Sequence, residues 1–473
     1  MAQINGADAR LIITPESVFK TLPVVSLHTC EAVWAEYVHT NVIATADTAF
    51  FKQGAKSCKL VVADAAPAGA LLATAALSPA RNLVKCLKVG MWIRSTVALA
   101  SGDLQLLLDD TAACASPIET LDIPAVTAGE VNTWKYVKLT LATPATCTAI
   151  VSVGVKMVVD KGAFTFYLDD IRAIENDAII ISFNTAEFGM SEELEKSGAI
   201  SGGRQPQKPT GGAISGTGSS SHEFNPYLAV LIKHALGKVT TSDLTGGKYQ
   251  HVMTIGDIGN GLAVEVQHTK EAIYTVYHAK VNTLSLSQAA TGKVTMDLGW
   301  EIAKEELATN QTTLDGAPTN YGHKPFSSKF GAFTEGGISA PGLATNFKID
   351  FNNGIEGEPT IGSAGEKDSL TESMATVDFS VDMLYKDNTY IDKAKALTES
   401  SIKMENSNGT GDGSLGNEYM SIETPEVLYA RPKPRIDGPR GLKTSFTGIA
   451  YYDDNVSGEA LKITVKNTQA TIK

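Results

Sequence analysis

The chain has 473 residues, a formal net charge of -12, 43% hydrophobic and 19% charged residues, 42 glycines and a mean hydropathy of -0.03. That apolar share excludes a disordered chain and that charge share a coiled coil, which leaves Gly-rich, loop-rich β structure in about three domains of roughly 150 residues. The acidity argues against attraction to nucleic-acid backbones, no apolar run reaches the roughly 18 residues that cross a bilayer, and Met1 to Lys20 lacks a basic start followed by an apolar stretch, so neither membrane anchor nor signal peptide is expected.

All the cysteines, Cys30, Cys58, Cys86, Cys114 and Cys147, lie in the first third of the chain at wide spacing and read as buried thiols made in a reducing cytoplasm. Alternation there predicts sandwich strands, with Val89, Met91 and Ile93 opposing Gly90, Trp92 and Arg94. Core packing is the better reading of Trp34, Trp92 and Trp134 than stacking on sugar rings. Asp169 and Asp170 end this region in TFYLDDIRAI, and adjacent carboxylates at a strand edge can either hold a hard cation or form a solvated pair.

A boundary is expected near residue 178, followed by an opening strand from Ile179 and a long polar Gly/Ser/Pro stretch from Ser197 to Ser221 that contains a short strand at Gly212 to Gly216. Asn225 and Pro226 then supply a cap and a first-turn proline for a helix carrying Leu228, Leu231, Ile232 and Ala235 and ending at Gly237. GDIGNG at Gly256 to Gly261 reads as a hairpin turn, and a closing strand at Gly292 to Glu301 sets Val294, Met296, Leu298 and Trp300 against Thr295, Asp297 and Gly299. The same order recurs from Phe347: an opening strand, a long loop, the alternating strand Val377, Phe379, Val381, Met383, a helix after Asp387 or Asn388 with Ile391, Ala394 and Leu397 as its stripe, and a closing strand from Gly441. This predicts an internal duplication. The segment Glu405 to Glu418 reads as a flexible loop.

Chemistry is absent from the motifs. The eight histidines show no His-Glu-x-x-His pattern, Ser215 in GAISG has the wrong spacing for a nucleophile elbow, and no dinucleotide or phosphate loop is present, so no enzyme and no cofactor are expected.

The stretch from about Glu187 to Lys238 resembles the tail tube proteins of long-tailed bacteriophages, in which a Ser-x-x-Ile-x-Gly-x-Arg motif precedes a Gly-rich strand and a helix. Here the motif falls on Ser197, Ile200, Gly203 and Arg204 with one residue of drift. The first region is similar to jelly-roll carbohydrate-binding modules through FKQGAKSCKLVV with Gly54 and Ser57, VGMWIRS with Trp92, TWKYVKLTL with Trp134, and FYLDDI with Asp169 and Asp170.

Together these resemblances imply an all-β chain: an N-terminal jelly-roll β-sandwich over 1–177, then two tail-tube-type β-sandwich domains over 178–315 and 316–473, each with a short flanking helix. They imply a virion component made in the host cytoplasm, in which three chains form a ring with pseudo-sixfold symmetry and the rings stack. Stacking would use loops around Ser191 to Thr210, including Ser191, Glu192, Glu193, Ser197, Ile200, Gly203 and Arg204, and around Asn353 to Ser373. Other tail proteins are the further partners, and DNA would pass without specific binding through a lumen for which Asp297 and Asp378 are candidate wall acids. The outward N-terminal domain could carry a structural Ca2+ at Asp169 and Asp170 and could meet host-surface glycans. A secreted or surface multi-domain glycan-binding adhesin is the alternative, and a carbohydrate-active enzyme ranks third because no carboxylate pair has a catalytic context.

Overall fold

The computed structural model describes residues 9–16, 23–36, 41–175, 177–196, 208–268, 273–308, 314, 317–339, 344–360, 363, 366–433, 443–452 and 458–472. Two compact units emerge: Met1–Ile180 with Glu265–Thr275 and Leu307–Thr319, and Ile181–Val264 with Val276–Glu306 and Asn320–Lys473. The expected boundary near 178 is close to the first division. The chain crosses between the units again at 306/307 and 319/320, on either side of the expected 315/316 boundary.

The first unit holds β1 (Arg10–Pro15), β2 (Val24–His28), β3 (Ala35–Glu36), β4 (Val42–Asp47), β5 (Ser57–Val62), β6 (Leu71–Arg81), β7 (Lys88–Ser95), β8 (Leu104–Asp109), β9 (Glu119–Asp122), β10 (Lys135–Thr140), β11 (Ile150–Met157) and β12 (Phe164–Ile174). One sheet runs β10-β7-β12-β5-β4 with β2 on β12, the other β3-β6-β11-β8-β9, giving a jelly-roll type of antiparallel sandwich. Period-2 alternation sends Val89, Met91, Ile93, Phe166 and Leu168 into the core between the sheets, together with the free, buried cysteines Cys30, Cys58, Cys86 and Cys147. Trp34 joins that core. Trp92 does not, since it alternates with Met91 and Ile93 and therefore lies on the outer face of β7, where its ring meets Tyr136 edge-on at 5.1 Å. Trp134, just before β10, likewise packs on Tyr167 outside the core cluster, at 6.2 Å.

The chain continues with β13 (Ile179–Ile181), β14 (Thr185–Glu195), β15 (Thr210–Glu223), α1 (Ala229–Leu236), β16 (Gly237–Asp243), β17 (Tyr249–Ile255), β18 (Leu262–Gln267), β19 (Ile273–Ala289), β20 (Thr295–Glu301), β21 (Lys304–Ala308), β22 (Gly331–Glu335), β23 (Ile338–Ser339), β24 (Ala344–Asn352), β25 (Glu356–Pro359), β26 (Lys367–Thr371), β27 (Thr376–Leu384), α2 (Thr389–Ala396), β28 (Ser400–Ser407), β29 (Tyr419–Tyr429), β30 (Lys443–Ala450) and β31 (Lys462–Asn467). In the second unit a hairpin, β14–β15, receives β20 beside β15 and β19 beside β20. A second hairpin, β24–β27, receives β30 beside β27 and β29 beside β30. A helix follows the second hairpin strand each time. The two four-stranded patterns are joined by an antiparallel ladder between β19 and β24, from Thr283↔Asn352 to Ala289↔Asn346, so that eight strands form one continuous sheet. A second layer, β16-β17-β31-β29-β28-β22, shares β29 with it.

The first helix forms as its sequence dictates. The Asn225 side chain accepts a hydrogen bond from the Tyr227 amide at 3.0 Å, a 3-10 turn at Pro226–Leu228 leads into α1, and Gly237 ends it at φ 94°. Six of its eight residues are buried. The second helix differs from expectation: Ala394 alone is buried, Leu397 lies past its end at φ 50° and 67% exposed, and Tyr390 makes the packing contact, with ring centroids 5.4 Å from Phe446 and 6.1 Å from Tyr429.

The β19–β24 ladder buries Leu284, Leu286, Phe347, Ile349 and Phe351 on one face. Phe351→Ala should therefore destabilise the second unit by roughly 3–5 kcal/mol, read from the urea unfolding midpoint.

Candidate functional site

Residues paired across neighbouring strands point to the same side of a sheet. The registers therefore place Thr185, Ser221, Asp297, Ser285, Asp350, Asp378, Ile449 and Leu428 in one row across the eight-stranded sheet. The next row, Ser220, Leu298, Leu284, Phe351, Val377, Ala450 and Val427, points the other way and is buried throughout. Asp297 and Asp378 thus share one wet face, and the structure adds Asp350 between them.

The rest of that face is mostly Ser and Thr, including Thr295, Ser287, Ser380 and Thr447 in the row beside it. Lys348 pairs with Asp350 at 2.8 Å and Lys293 and His323 both bind Glu223, whereas the exposed Lys443, set on the same face by its strand parity with Thr447 and Ile449, has no ion pair among the described residues. Neither Asp297 nor Asp378 has a cation partner among the described residues, so the face carries uncompensated negative charge.

Ser191, Glu192 and Glu193 lie in a strand and not in the expected loop. The hairpin is longer than the Gly212 to Gly216 reading, with β14 and β15 paired from Thr185↔Ser221 to Glu195↔Thr210. Its base is held where the Met190 amide donates to Glu305 Oε2 at 2.7 Å and where Gly216 O accepts from the Ile302 amide at 3.1 Å. A Cβ at Gly216 would stand 2.4 Å from the Ile302 carbonyl oxygen, so only glycine allows that approach. Past this point Ser191–Glu195 and Thr210–Ser215 form an arm on which Glu192, Glu193, Leu194 and Glu195 are all exposed. Ser197, Ile200, Gly203 and Arg204 lie outside the described residues.

The other expected loop, Asn353 to Ser373, contains the β25–β26 hairpin and is anchored to its own chain. Asn353 Nδ2 donates to Ala235 O and Val281 O, both at 2.8 Å, and the buried Lys280 reaches Leu370 O at 3.1 Å and Glu372 at 3.3 Å. The buried Lys367 pairs with Glu301 at 2.5 Å. The segment at Glu405 to Glu418 is likewise compact: Glu418 is fully buried and accepts from the Gly416 amide at 2.9 Å, while Asn417 Oδ1 accepts from the Thr410 amide at 2.9 Å.

In the first unit Asp169 and Asp170 part company. Asp170, at φ 48°, pairs with Arg172 at 2.8 Å. Asp169 is fully buried, and its Oδ2 accepts the Lys52 and Gln53 amides at 2.6 and 2.9 Å. Glu31, which sequence reasoning missed, accepts the Ala55 and Lys56 amides at 2.8 and 3.3 Å, and Asp47 accepts those of Ala49 and Phe50 at 2.9 and 2.8 Å. Three carboxylates therefore staple one loop by its backbone N–H groups. The same loop lays Phe50 under the Arg94 guanidinium at 4.0 Å and Lys52 over Trp92 at 4.7 Å. A calcium ion takes six or more oxygens. The buried Asp169 Oδ1 has no hydrogen-bond partner and could be one of them, but among the described residues no three His, Cys, Asp or Glu side chains converge on a metal position.

The family of phage tail tube proteins matches residues 129–450, well over half of the chain. The chain belongs to that family. No curated protein matches it by sequence. Among solved structures the tail tube chain is similar to a family 30 carbohydrate-binding module, at 14% identity over 33% of this chain and 90% of the other, with a TM-score of 0.25. A family 11 module from Clostridium thermocellum aligns at 15% identity over 32% of this chain and 95% of its own, with a TM-score of 0.23. A tandem of two family 22 modules from Paenibacillus barcinonensis Xyn10C covers 96% of this chain and 98% of its own at 10% identity and a TM-score of 0.23. Likenesses this distant carry no ligand over to the tail tube chain. Among the described residues no helix is long and apolar enough to cross a membrane.

Burial is the main cause that pushes the Asp169 carboxyl up from 3.8 to about 6, helped by Asp170 and Glu31 and opposed by the two amide bonds. A folded-state value above the unfolded one stabilises fully below the unfolded value and is lost as pH rises through the folded value. Without divalent cations, the melting temperature should therefore fall between about pH 4 and pH 6 through this group. Asp169→Asn should flatten that fall, which thermal melts across the range will show.

Proposed function

We propose that the chain is the structural subunit of a phage tail tube, that three chains close one ring, and that stacked rings conduct DNA to the host. The β19–β24 ladder carries this reading. It already joins two copies of one four-stranded pattern edge to edge, and the same kind of join between chains would continue the sheet around a ring. Three chains of eight strands give 3 × 8 = 24 strands; at about 4.8 Å between strands and a tilt of about 40°, the Cα-to-Cα diameter is roughly 45–50 Å, enough to pass a DNA duplex. Closure also removes the exposed strand edges that would otherwise aggregate.

The acidic face is assigned to the lumen, where, among the described residues, the unpaired Asp297 and Asp378 outnumber the unpaired Lys443 and repel phosphates. The β14–β15 arm contacts the adjacent ring, and other tail proteins close the ends of the tube. The subunit has no enzymatic role and is made in the host cytoplasm before it enters the virion. The N-terminal unit is assigned to the outside, where the partly exposed Phe50 and Phe51, with Phe50 and Trp134 both packed on Tyr167, give a surface on which host glycan rings could stack. A structural Ca2+ in this unit would rest on the unpartnered Asp169 Oδ1. A calcium-dependent rise in melting temperature at pH 7 that Asp169→Asn abolishes is its test, and no rise removes it.

Electron microscopy of the purified, polymerised chain tests the central reading. Averaged rings should show six inner units and three outer lobes; six outer lobes would overturn the three-chain ring, and failure of the chain to form tubes would overturn the reading itself. The electrostatic assignment makes a separate expectation. Tubes should not retain duplex DNA at physiological salt, whereas tubes carrying both Asp297→Lys and Asp378→Lys should bind it with an affinity that falls steeply with salt, as read by co-sedimentation.

A further inference from the structure

A cavity of about 280 Å³ opens in the second unit, lined by Gln288, Ser328, Phe333, Asn346, Phe347 and Met404 with small residues such as Ala332 between them. No lining side chain is charged. Gln288 and Asn406 satisfy each other, Asn406 Nδ2 donating to Gln288 Oε1 at 2.6 Å and Gln288 Nε2 to Asn406 Oδ1 at 3.2 Å. Ser328 Oγ, in a residue only 9% exposed, has no hydrogen-bond partner. The volume is below the roughly 300–1,000 Å³ of small-molecule sites, and the mixed amide and phenyl lining offers no handle for a charged ligand, so the cavity suits a protein side chain.

The strand registers fix where it opens. Gln288 and Ala289 of β19 and Asn346 and Phe347 of β24 lie at the end of the sheet where β15 finishes, at Glu223↔Thr295. The arm leaves from the opposite end, beyond Thr217↔Glu301. Its described part runs five residues past the last anchored pair, on the order of 15 Å at strand rise. Near the end of that described part Leu194 is 67% exposed between Glu193 and Glu195, an apolar side chain without cover among the described residues. The cavity's Ser328 wall is flanked by the exposed Lys329 and by Lys293, which bridges Ser327 and whose charge Glu223 matches.

We propose that Leu194 of one chain docks in this cavity on a second copy of the chain in the adjacent ring. The inference rests on the tail tube reading and names the receiving site of the arm. A donor and an acceptor at opposite poles of one chain form a heterologous contact that repeats without closing, as a stack of rings requires.

Cross-linking tests it. The native cysteines are buried, so in a chain carrying both Leu194→Cys and Ala332→Cys a short bismaleimide should find only the introduced thiols readily. Polymerised material should give a ladder of covalent multimers extending beyond the dimer on denaturing gels, and either single variant should give none. Ala332→Trp, which fills the cavity, should reduce polymerisation at fixed concentration by tenfold or more, with the circular dichroism and melting temperature of the unpolymerised subunit unchanged. Tubes that form normally with Ala332→Trp, together with double-cysteine tubes that yield no ladder, would sink the docking inference and leave the tube reading standing. A wild-type chain that never forms tubes would overturn both.

Discussion

The second unit depends on the ladder between β19 and β24. Because side chains alternate across a strand with a period of two, a slip of one residue would turn Phe351, Ile349 and Phe347 to solvent and drive Asp350 and Lys348 inward. Each large apolar side chain so exposed would forfeit roughly 1.5–3 kcal/mol, which makes any other register uncompetitive. With this register set, the β20 and β27 ladders on either side follow, and the acids of three strands fall into one row. The ladder also hides two strand edges within one chain, which leaves the outer edge of β14 to be covered by a neighbour.

Around this sheet, buried polar anchors fix the connections. Asn353 caps carbonyls of α1 and β19 together, and Lys280 and Lys367 fasten the β25–β26 hairpin. Glu335 does the same for α2, where its Oε1 accepts from Lys393 at 2.6 Å and from Tyr429 at 3.3 Å. Truncating one partner of such a buried pair costs about 3–5 kcal/mol, because the other charge is left without compensation. These contacts specify where each connection lies more than they add stability, and they explain why the expected loop over Asn353 to Ser373 is held against its own chain.

Local signals were legible and distant ones were not. The Asn225–Pro226 cap with Gly237 defined α1 because every determinant lies within thirteen residues of the chain. Alternation marked β20 and β27 because each strand has one buried and one wet face. The arm was misread as loop because GGAISGTGSSS has no apolar alternation: its pairing comes from backbone hydrogen bonds with β14, and Gly216 is there for the close approach of Ile302. The α2 stripe failed at Leu397 because the helix stops first, which leaves Tyr390 to reach the sheet. Glu31, the third staple of the loop at Asp169, is far upstream in sequence, and only the folded sandwich brings the two to one loop. Trp92 was assigned inward because its flanking residues are apolar, although strand parity places it outside.

The wet face shows how one chain tolerates acids that act collectively. Asp297 and Asp378 are three strands apart, about 14 Å at normal strand spacing, while the Debye length at physiological salt is about 8 Å. Within one chain they hardly repel each other, so the uncompensated row costs little stability. A DNA phosphate moving along a closed wall would instead pass many copies in succession and sum their repulsion. The converse holds for cations, since one unpaired lysine on this face would become a ring of attractive sites. Lys348 and Lys293 escape that outcome because Asp350 and Glu223 bind them locally. Lys443, at the start of β30, is the exception, and the unmatched Asp297 and Asp378 of the same face outnumber it, so the wall still presents net negative charge to a polyanion.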